Sequence, residues 1–388
     1  ETNGNPLMAM SKHRYCHQRI TIGLFVQSAL NQPPTTEFLM RLYKETNGNP
    51  LMAISMLRHM LDVSPSVEDL MQMEHMPLPD NIYDILSGRL NRLSPDARQL
   101  ITVAALIGND ISLNLLQSVT GLSEQPFLTA LDLLIQSGFI FDHPVSHANE
   151  SYVHFAHRKI REIVNYKTSL TTSQVLHHKI ADLLSQSDYS SAQAGIIAEH
   201  YLAAGDEQKT VKWLLVAADH VWNLGFREEV LEIFRKAEKI LYEPSQAEFG
   251  SGDFLLLYDQ MSKFAFQSNQ IHLLEEIGIK LQELGAKFPN DELMGLAYLS
   301  LAYACFYRDD LENGLLLSEK TIKRLDKKIH PELLIRTLYY RASFQWWTLG
   351  FDEVEASKNQ MVKILEEISE SNPKKKSLGF LTQLLSAH

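Results

Sequence analysis

The sequence SGFIFDHPVSHANESYVHFAHRKIREIVNY, residues 137–166, decides the predicted fold of the first part of this chain. A short β-prone run at 139–141 is followed by Asp, Pro, Ser and Asn residues that favour a turn. Residues 152–157 then alternate at the period of a second strand. The segment 158–166 carries apolar residues at helical spacing with charged residues between them. The stretch therefore predicts a strand, a hairpin turn, a second strand and a helix.

Helical patterns lie directly upstream of this stretch, between Ser94 and Leu134. Ser94 and Pro95 are suited to be the N-cap and first residue of a helix, and Gly121 and Gly138 are placed to end the next two helices. A two-stranded ribbon is marginally stable alone, so the hairpin is expected to pack on these helices. Three helices and a hairpin predict a winged helix.

The composition limits the class of protein. The chain has 388 residues, 45% of them hydrophobic and 21% charged, which indicates a globular protein of two or three domains. No apolar run approaches the roughly 20 residues of a membrane span. The net charge of -11 argues against general affinity for nucleic acid or anionic membranes. Two cysteines, Cys16 and Cys305, suit a reducing environment, so a cytoplasmic protein without a metal site is expected.

From Leu176 onward the sequence shows only helical patterns. Loop-and-helix starts that resemble one another fall at Glu228, Gln270, Asp310 and Asp352, with separations of 42, 40 and 42 residues. The helices before these starts are rich in aromatic and small residues. This periodicity predicts an α-solenoid of helix pairs, with units longer than the ~34 residues of a tetratricopeptide repeat.

Four segments, taken together in this order, resemble one protein family. They are TNGNP at 46–50, LPDNIYDILSGRLNRLSPDARQLITVAALIG at 78–108, VHFAHRKIREIVNY at 153–166 and IAEHYLAAGDEQKTVKWLLVAADHVWNLGFREEVLEIFRKAEKIL at 197–241. They resemble the STAND class of signal-transduction P-loop ATPases, near AAA-type and MalT-like regulators. The resemblance covers most of the chain.

The resemblance implies a mainly α fold made of the C-terminal part of such an ATPase. A helical lid is expected at 1–75, a winged helix with its β-hairpin at 76–170, and an α-solenoid of tetratricopeptide-like helix pairs at 171–388. The chain is expected to be a fragment of a larger protein.

The resemblance also implies nucleotide-binding residues. It places Gly48 and Pro50 of the lid turn near the adenine, and His157 near the β-phosphate of ADP. Arg158 stands where the family has an acid beside this histidine. Each nucleotide assignment has a purely structural alternative. Residues 48–50 are then a turn that starts a helix, and His157 is a histidine whose hydrogen bonds stay within the protein.

The ATPase machinery itself is missing from the sequence. The phosphate-binding motif GxxxxGK[ST] does not occur, and no apolar strand ending in two acidic residues stands out. This chain alone is therefore expected not to hydrolyse ATP and to hold no nucleotide, whereas the parent protein is expected to bind ATP and ADP. The leading hypothesis is a regulatory segment that couples the nucleotide state to an effector on the repeats, with a homo-oligomeric active state. The alternative is a scaffold that ignores nucleotide.

Two further features concern partners. A winged helix suggests DNA binding, but the candidate recognition helix, Glu124 to Gln136, has no basic residue to neutralise phosphates. The adjacent Trp346 and Trp347 point about 100° apart on a helix, so both cannot face one core stripe. One of these rings is predicted to contact a protein or small-molecule effector, while most other aromatic residues of the repeats are expected in the core between helices.

Overall fold

A computed structural model describes most of the chain between residues 33 and 371. The described ranges are 33–46, 80–142, 151–187, 190–245, 247–327 and 329–371, with a few isolated residues between 26 and 61. The predicted lid turn with Gly48 and Pro50 lies outside the described residues. The chain divides into two compact units, Glu1–Ser187 and Asp188–His388.

The first unit combines helices with one small sheet. Its helices are α1 (Thr36–Thr46), α2 (Asp80–Asn91), α3 (Pro95–Ile107), α4 (Leu113–Thr120), α5 (Glu124–Gln136), α6 (Arg158–Lys167) and α7 (Leu170–Ser185). Its strands are β1 (Ile111–Ser112), β2 (Ile140–Asp142) and β3 (Tyr152–Phe155).

The sheet has the strand order β1-β3-β2, and both pairings are antiparallel. Ile140 pairs with Phe155 in the hairpin, and Ile111 on the other edge pairs with Val153. The side chains of Ile111, Ile140 and Val153 are fully buried and belong to the same core as α3 and α6. This burial attaches the hairpin to the helices. The elements follow one another along the chain in the order that the sequence predicted.

The local signals act as predicted. The Ser94 side chain accepts a hydrogen bond from the Ala97 N–H at 3.3 Å, and Pro95 is the first residue of α3. Gly121 ends α4 with φ of 70°, a backbone angle at which a Cβ is strained. Short polar side chains and glycines therefore fix these helix ends from the sequence alone.

Helix α7 belongs to the first unit. It packs against α3 and α4, its Ile180 lies in the core of that unit, and the Lys179 Nζ donates a hydrogen bond to the Val119 carbonyl at 2.7 Å. The structure thus divides the chain after Ser187, whereas the sequence places the division at 170/171. The physical reason is that the apolar face of α7, including Ile180, is buried in the core of the first unit.

The second unit is an array of helix pairs. The helices are α8 (Ala194–Ala204), α9 (Glu207–Asn223), α10 (Arg227–Tyr242), α11 (Ser251–Gln267), α12 (Ile271–Lys287), α13 (Asp291–Tyr307), α14 (Leu311–Arg324), α15 (Pro331–Trp347) and α16 (Phe351–Ser371). Each helix packs against the next along the chain. The structure therefore confirms the predicted fold class, a mainly α chain that ends in a solenoid of helix pairs.

The turns within the pairs share one backbone geometry. A residue with positive φ precedes the second helix of each pair, and the residue after it donates its N–H to a carbonyl five positions back. In one example, the Gln270 N–H donates to the Ala265 carbonyl at 2.8 Å. This is a recurrent helix C-cap. In the pairs α9–α10, α11–α12, α13–α14 and α15–α16 these residues are Gly225, Asn269, Asp309 and Leu349, and Gly205 has the same geometry before α9.

Aromatic rings fill the space between successive pairs. The Tyr303 ring lies 4.2 Å from that of Tyr340 and 4.7 Å from that of Phe266, measured between centroids. The rings of Phe306 and Phe344 are 5.7 Å apart. The prediction that most aromatic residues of the repeats are in the core is confirmed for these positions.

Candidate functional sites

His157 connects the end of α1 to the start of α6. It is the N-cap of α6, and its Nδ1 accepts a hydrogen bond from the Lys159 N–H at 2.9 Å. Its Nε2 contacts the backbone carbonyl of Glu45, in the last turn of α1. Because Nδ1 acts as an acceptor, the proton of the neutral ring lies on Nε2, which donates to Glu45.

The environment of His157 favours this neutral form. Burial lowers its pKa, against the opposing pull of the Glu45 and Glu162 carboxylates. An imidazole with a pKa below its ordinary value is uncharged at pH 7. His157 therefore has one N–H available for an acceptor outside its own helix.

Gly48 and Pro50, the other two predicted nucleotide residues, follow Glu45 by three and five positions in the sequence and lie outside the described residues.

The basic residues beside His157 have partners within the protein. Arg158 is exposed and pairs with Glu162 at 3.0 Å, and the Lys159 Nζ lies 2.8 Å from the same carboxylate. The Arg161 Nε donates to the Ala105 carbonyl at 2.9 Å, at the end of α3. Hydrogen bonds and ion pairs inside the first unit thus account for these three cations.

The predicted partner residues lie at the turn between α15 and α16. Trp346 is 56% exposed and Trp347 is 66% exposed, so neither ring is in the core. Leu349 and Phe351 are exposed as well, and the Phe351 ring packs edge-on against Trp346 at 5.3 Å. We call these four residues the aromatic turn.

Comparison of the repeats separates the two tryptophans. In these four pairs the residue three positions before the positive-φ residue is aromatic, as Trp346 is, and in the first three pairs it is partly buried. Phe266 contacts Tyr303 of the following pair, and Phe306 likewise contacts Phe344. Trp346 therefore occupies a position at which one repeat packs on the next.

The position of Trp347 is different. Two of its equivalents, Asn223 and Gln267, are exposed polar residues, and the third, Tyr307, is a partly buried aromatic residue that packs on Phe266. Trp347 is thus the exposed aromatic side chain at this position of the repeat. The sequence reasoning did not distinguish it from Trp346, although aligning the repeats on their left-handed turns would have done so.

Sequence reasoning also missed an ionic cluster that links α10 to α12. The Arg235 guanidinium binds Glu276 through two hydrogen bonds, at 2.6 and 2.7 Å, and lies 2.8 Å from Glu238. Lys280 contacts both carboxylates, at 2.8 and 2.7 Å, and the Tyr258 hydroxyl donates to Glu238 at 2.7 Å. Because these charges satisfy one another, the cluster is a link between repeats rather than an open site.

A second ion pair joins helices that are two pairs apart. Arg336 of α15 binds Asp259 of α11, and its side chain is only 5% exposed. Burial raises the pKa of Asp259, but the Arg336 and Lys263 charges outweigh it, and the net shift is downward. The Lys263 Nζ lies 2.8 Å from Asp259 and 3.0 Å from Glu332 of α15.

Neither a metal-ligand cluster nor a membrane-spanning helix is found within the described ranges. No three His, Cys, Asp or Glu side chains there are grouped as metal ligands would be. None of the described helices is both long and apolar enough to cross a bilayer.

Comparisons with known proteins give a distant match. A solved structure of a signal transduction ATPase with numerous domains, a STAND protein with a tetratricopeptide repeat sensor from Pyrococcus horikoshii, is 13% identical with a TM-score of 0.34. The match covers 91% of this chain and 60% of that one, so this chain spans about 60% of its length. Similarity at this level assigns no function. No family model and no curated protein matches the chain.

Proposed function

We propose that this chain is the regulatory and interaction segment of a STAND-type ATPase of the cytoplasm. The supporting observation is the contact between the His157 Nε2 and the Glu45 carbonyl, which joins α1 to α6. Glu45 precedes Gly48 by three residues and Pro50 by five in the sequence. The sequence resemblance assigns His157, Gly48 and Pro50 to the nucleotide.

His157 fits the role of a phosphate donor. A neutral imidazole that is held by its Nδ1 as a helix cap directs its Nε2–H outward, and a phosphate oxygen accepts such a hydrogen bond as a carbonyl does. ADP in the parent protein would supply those oxygens. Because His157 has a single Nε2–H, it serves either Glu45 or a phosphate, and the two contacts exclude each other.

This exclusion gives a two-state switch. In one state His157 binds the α1 carbonyl, and in the other it binds the nucleotide held by the parent ATPase. An effector on the helical repeats then shifts the equilibrium only by its difference in affinity for the two states. Homo-oligomerisation in the active state belongs to the same proposal.

The competing proposal is a helical-repeat scaffold that ignores nucleotide. It is favoured by the absence of a phosphate-binding motif from the sequence and by the exposed aromatic turn. DNA binding has less support, because the exposed face of α5 carries Leu128, Asp132 and Leu133 and no basic residue.

Nucleotide content separates these proposals. The parent protein is purified gently and denatured, and the released nucleotide is measured by anion exchange beside this chain treated identically. We expect ADP from the parent and none from this chain. If the parent protein releases no nucleotide and binds no ADP on titration, the nucleotide switch is refuted and the scaffold proposal is retained.

His157→Asn in the parent tests the residue itself. Asparagine is a good N-cap, so α6 keeps its cap while the Nε2 donor is lost. We expect at least about a ten-fold loss of ADP affinity, the effect of one charge-assisted hydrogen bond of about 1.5–3 kcal/mol. His272→Asn, at an almost fully exposed histidine of the second unit, is the matched control. Equal ADP affinity in both variants would refute the assignment of His157.

A further inference from the structure

The aromatic turn has an acidic border. Asp352, Glu353 and Glu355 follow it in the first turns of α16, and all three are exposed. The equivalent turn of the preceding pair presents Asp309 and Glu312, which are also exposed. Both turns therefore expose carboxylates, and those of α16 directly follow the aromatic turn in the chain.

Little positive charge balances this border. The sequence has no Lys or Arg between 309 and 314 or between 346 and 356. Arg308 precedes the first of these segments, and its two terminal nitrogens already bind Glu275, at 2.5 and 2.7 Å. The border thus carries a net negative charge within a chain whose total is -11.

The repeat does not require exposed apolar residues at this turn. At the turn between α11 and α12 the positive-φ residue is Asn269, preceded by Gln267 and Ser268. Polar side chains therefore serve the same backbone geometry elsewhere in the array. Trp347 and Leu349 expose apolar surface where Gln267 and Asn269 are polar, and Tyr307, the remaining aromatic counterpart of Trp347, is partly buried. Such exposed apolar surface marks an interaction site.

We propose that the aromatic turn and its acidic border bind a cationic amphipathic segment of a protein partner. Apolar side chains of that segment pack on Trp347, while its Lys or Arg side chains pair with Asp352 and Glu353 and lie against the indole face. Tryptophan is among the residues that contribute most to the binding energy of interfaces. The surrounding carboxylates accelerate the encounter with a positively charged partner and disfavour a negatively charged one. The proposal rests on the partner-binding role given above to the repeats.

The test uses the full 388-residue chain and two synthetic helical peptides, one of Lys and Leu and one of Glu and Leu with the same pattern. Fluorescence anisotropy of labelled peptide gives the affinity. We expect the Lys/Leu peptide to bind with salt-dependent affinity and the Glu/Leu peptide not to bind. Trp347→Ala should weaken binding about ten-fold or more without changing the melting temperature.

Two further variants localise the effect. Asp352→Lys combined with Glu353→Lys should weaken binding and flatten its salt dependence. Leu316→Ala, at an exposed apolar residue of α14, should leave binding unchanged and is the matched control. Equal binding of both peptides, no binding of either, or equal losses in Leu316→Ala and Trp347→Ala would each overturn the proposal.

The same peptide separates this proposal from the nucleotide switch. Binding to the parent protein is measured with ADP and with ATP. Charge-selective binding that does not respond to nucleotide refutes the switch and retains the docking surface. Nucleotide-dependent binding that Trp347→Ala does not weaken retains the switch and refutes the surface.

Discussion

The buried ion pair between Asp259 and Arg336 gives the sharpest test of how the second unit is held together. Asp259→Ala leaves the Arg336 guanidinium, whose side chain is 5% exposed, without the carboxylate that binds it. An uncompensated buried charge costs about 3–5 kcal/mol. Lys263 also touches Asp259, but it is more exposed and keeps its contact with Glu332. We therefore expect the loss to fall mainly on Arg336.

The assay is urea unfolding followed by tryptophan fluorescence. All four tryptophans, Trp213, Trp222, Trp346 and Trp347, belong to the second unit, so the signal reports that unit alone. With a denaturant slope of about 2–3 kcal/mol/M, the expected loss lowers the midpoint by about 1–2.5 M urea.

Two variants make the result specific. Lys263→Ala removes a more exposed partner of the same carboxylate and should cost only about 0–1 kcal/mol. Asp259→Leu combined with Arg336→Met should recover most of the stability, because an apolar pair can replace a buried ion pair. If Asp259→Ala and Lys263→Ala have equal midpoints, the buried charge is not the cause and the reasoning fails.

Three further predictions concern the repeats. Gly314→Ala should destabilise the second unit by about 1–3 kcal/mol, because an added Cβ meets the buried Phe344 ring. Leu349→Asn should stabilise it by about 0.5–1 kcal/mol, because Leu349 has φ of 61°, where side chains other than Asn and Asp are strained. The Arg235 hydrogen bonds hold the pKa of Glu276 at about 2. This stabilisation is complete above pH 4.5, the ordinary value of the carboxyl group, and is lost as pH falls toward 2.

Urea unfolding checks all three predictions against matched variants. Gly252→Ala, where an added Cβ meets nothing within 4 Å, should not destabilise. Asn269→Leu should lose about what Leu349→Asn gains, since φ at Asn269 is 59°. Glu276→Gln should reduce the dependence of stability on pH between about 4.5 and 2. Equal stability losses in Gly314→Ala and Gly252→Ala would contradict the first prediction, and a loss of stability in Leu349→Asn would contradict the second. The third fails if Glu276→Gln leaves the pH dependence of the unfolding free energy unchanged.

Local signals in the sequence predicted several helix ends in the described part of the first unit. The bounds of α5, the N-cap at Ser94 and the end of α4 at Gly121 agree with the structure. These features depend on residues close together in the chain, such as a cap side chain and the N–H three positions on. Helix α7 was assigned to the repeats because its amphipathic pattern does not say which core buries it.

The candidate sites were predictable in part. The resemblance directed attention to His157, but the sequence did not show that its Nε2 contacts the Glu45 carbonyl, which is 112 residues away in the chain. The sequence singled out Trp346 and Trp347 as a pair. Only the alignment of the repeats on their turns shows that Trp346 occupies a position between repeats and that Trp347 is exposed to solvent. The sequence did not reveal the ionic cluster around Arg235, because Arg235 and Glu276 are 41 residues apart in the chain.

The sequence by itself determined the order of elements, the helix caps and the repeat period, because these depend on short-range periodicity and backbone preference. Only the tertiary structure decided which core buries α7, that Arg336 is paired across two helix pairs, and which face of α15 is open. Those features depend on contacts between residues far apart in the chain. The free energy of a buried charge or an exposed ring is set by such neighbours, and a linear pattern of residue types does not specify them.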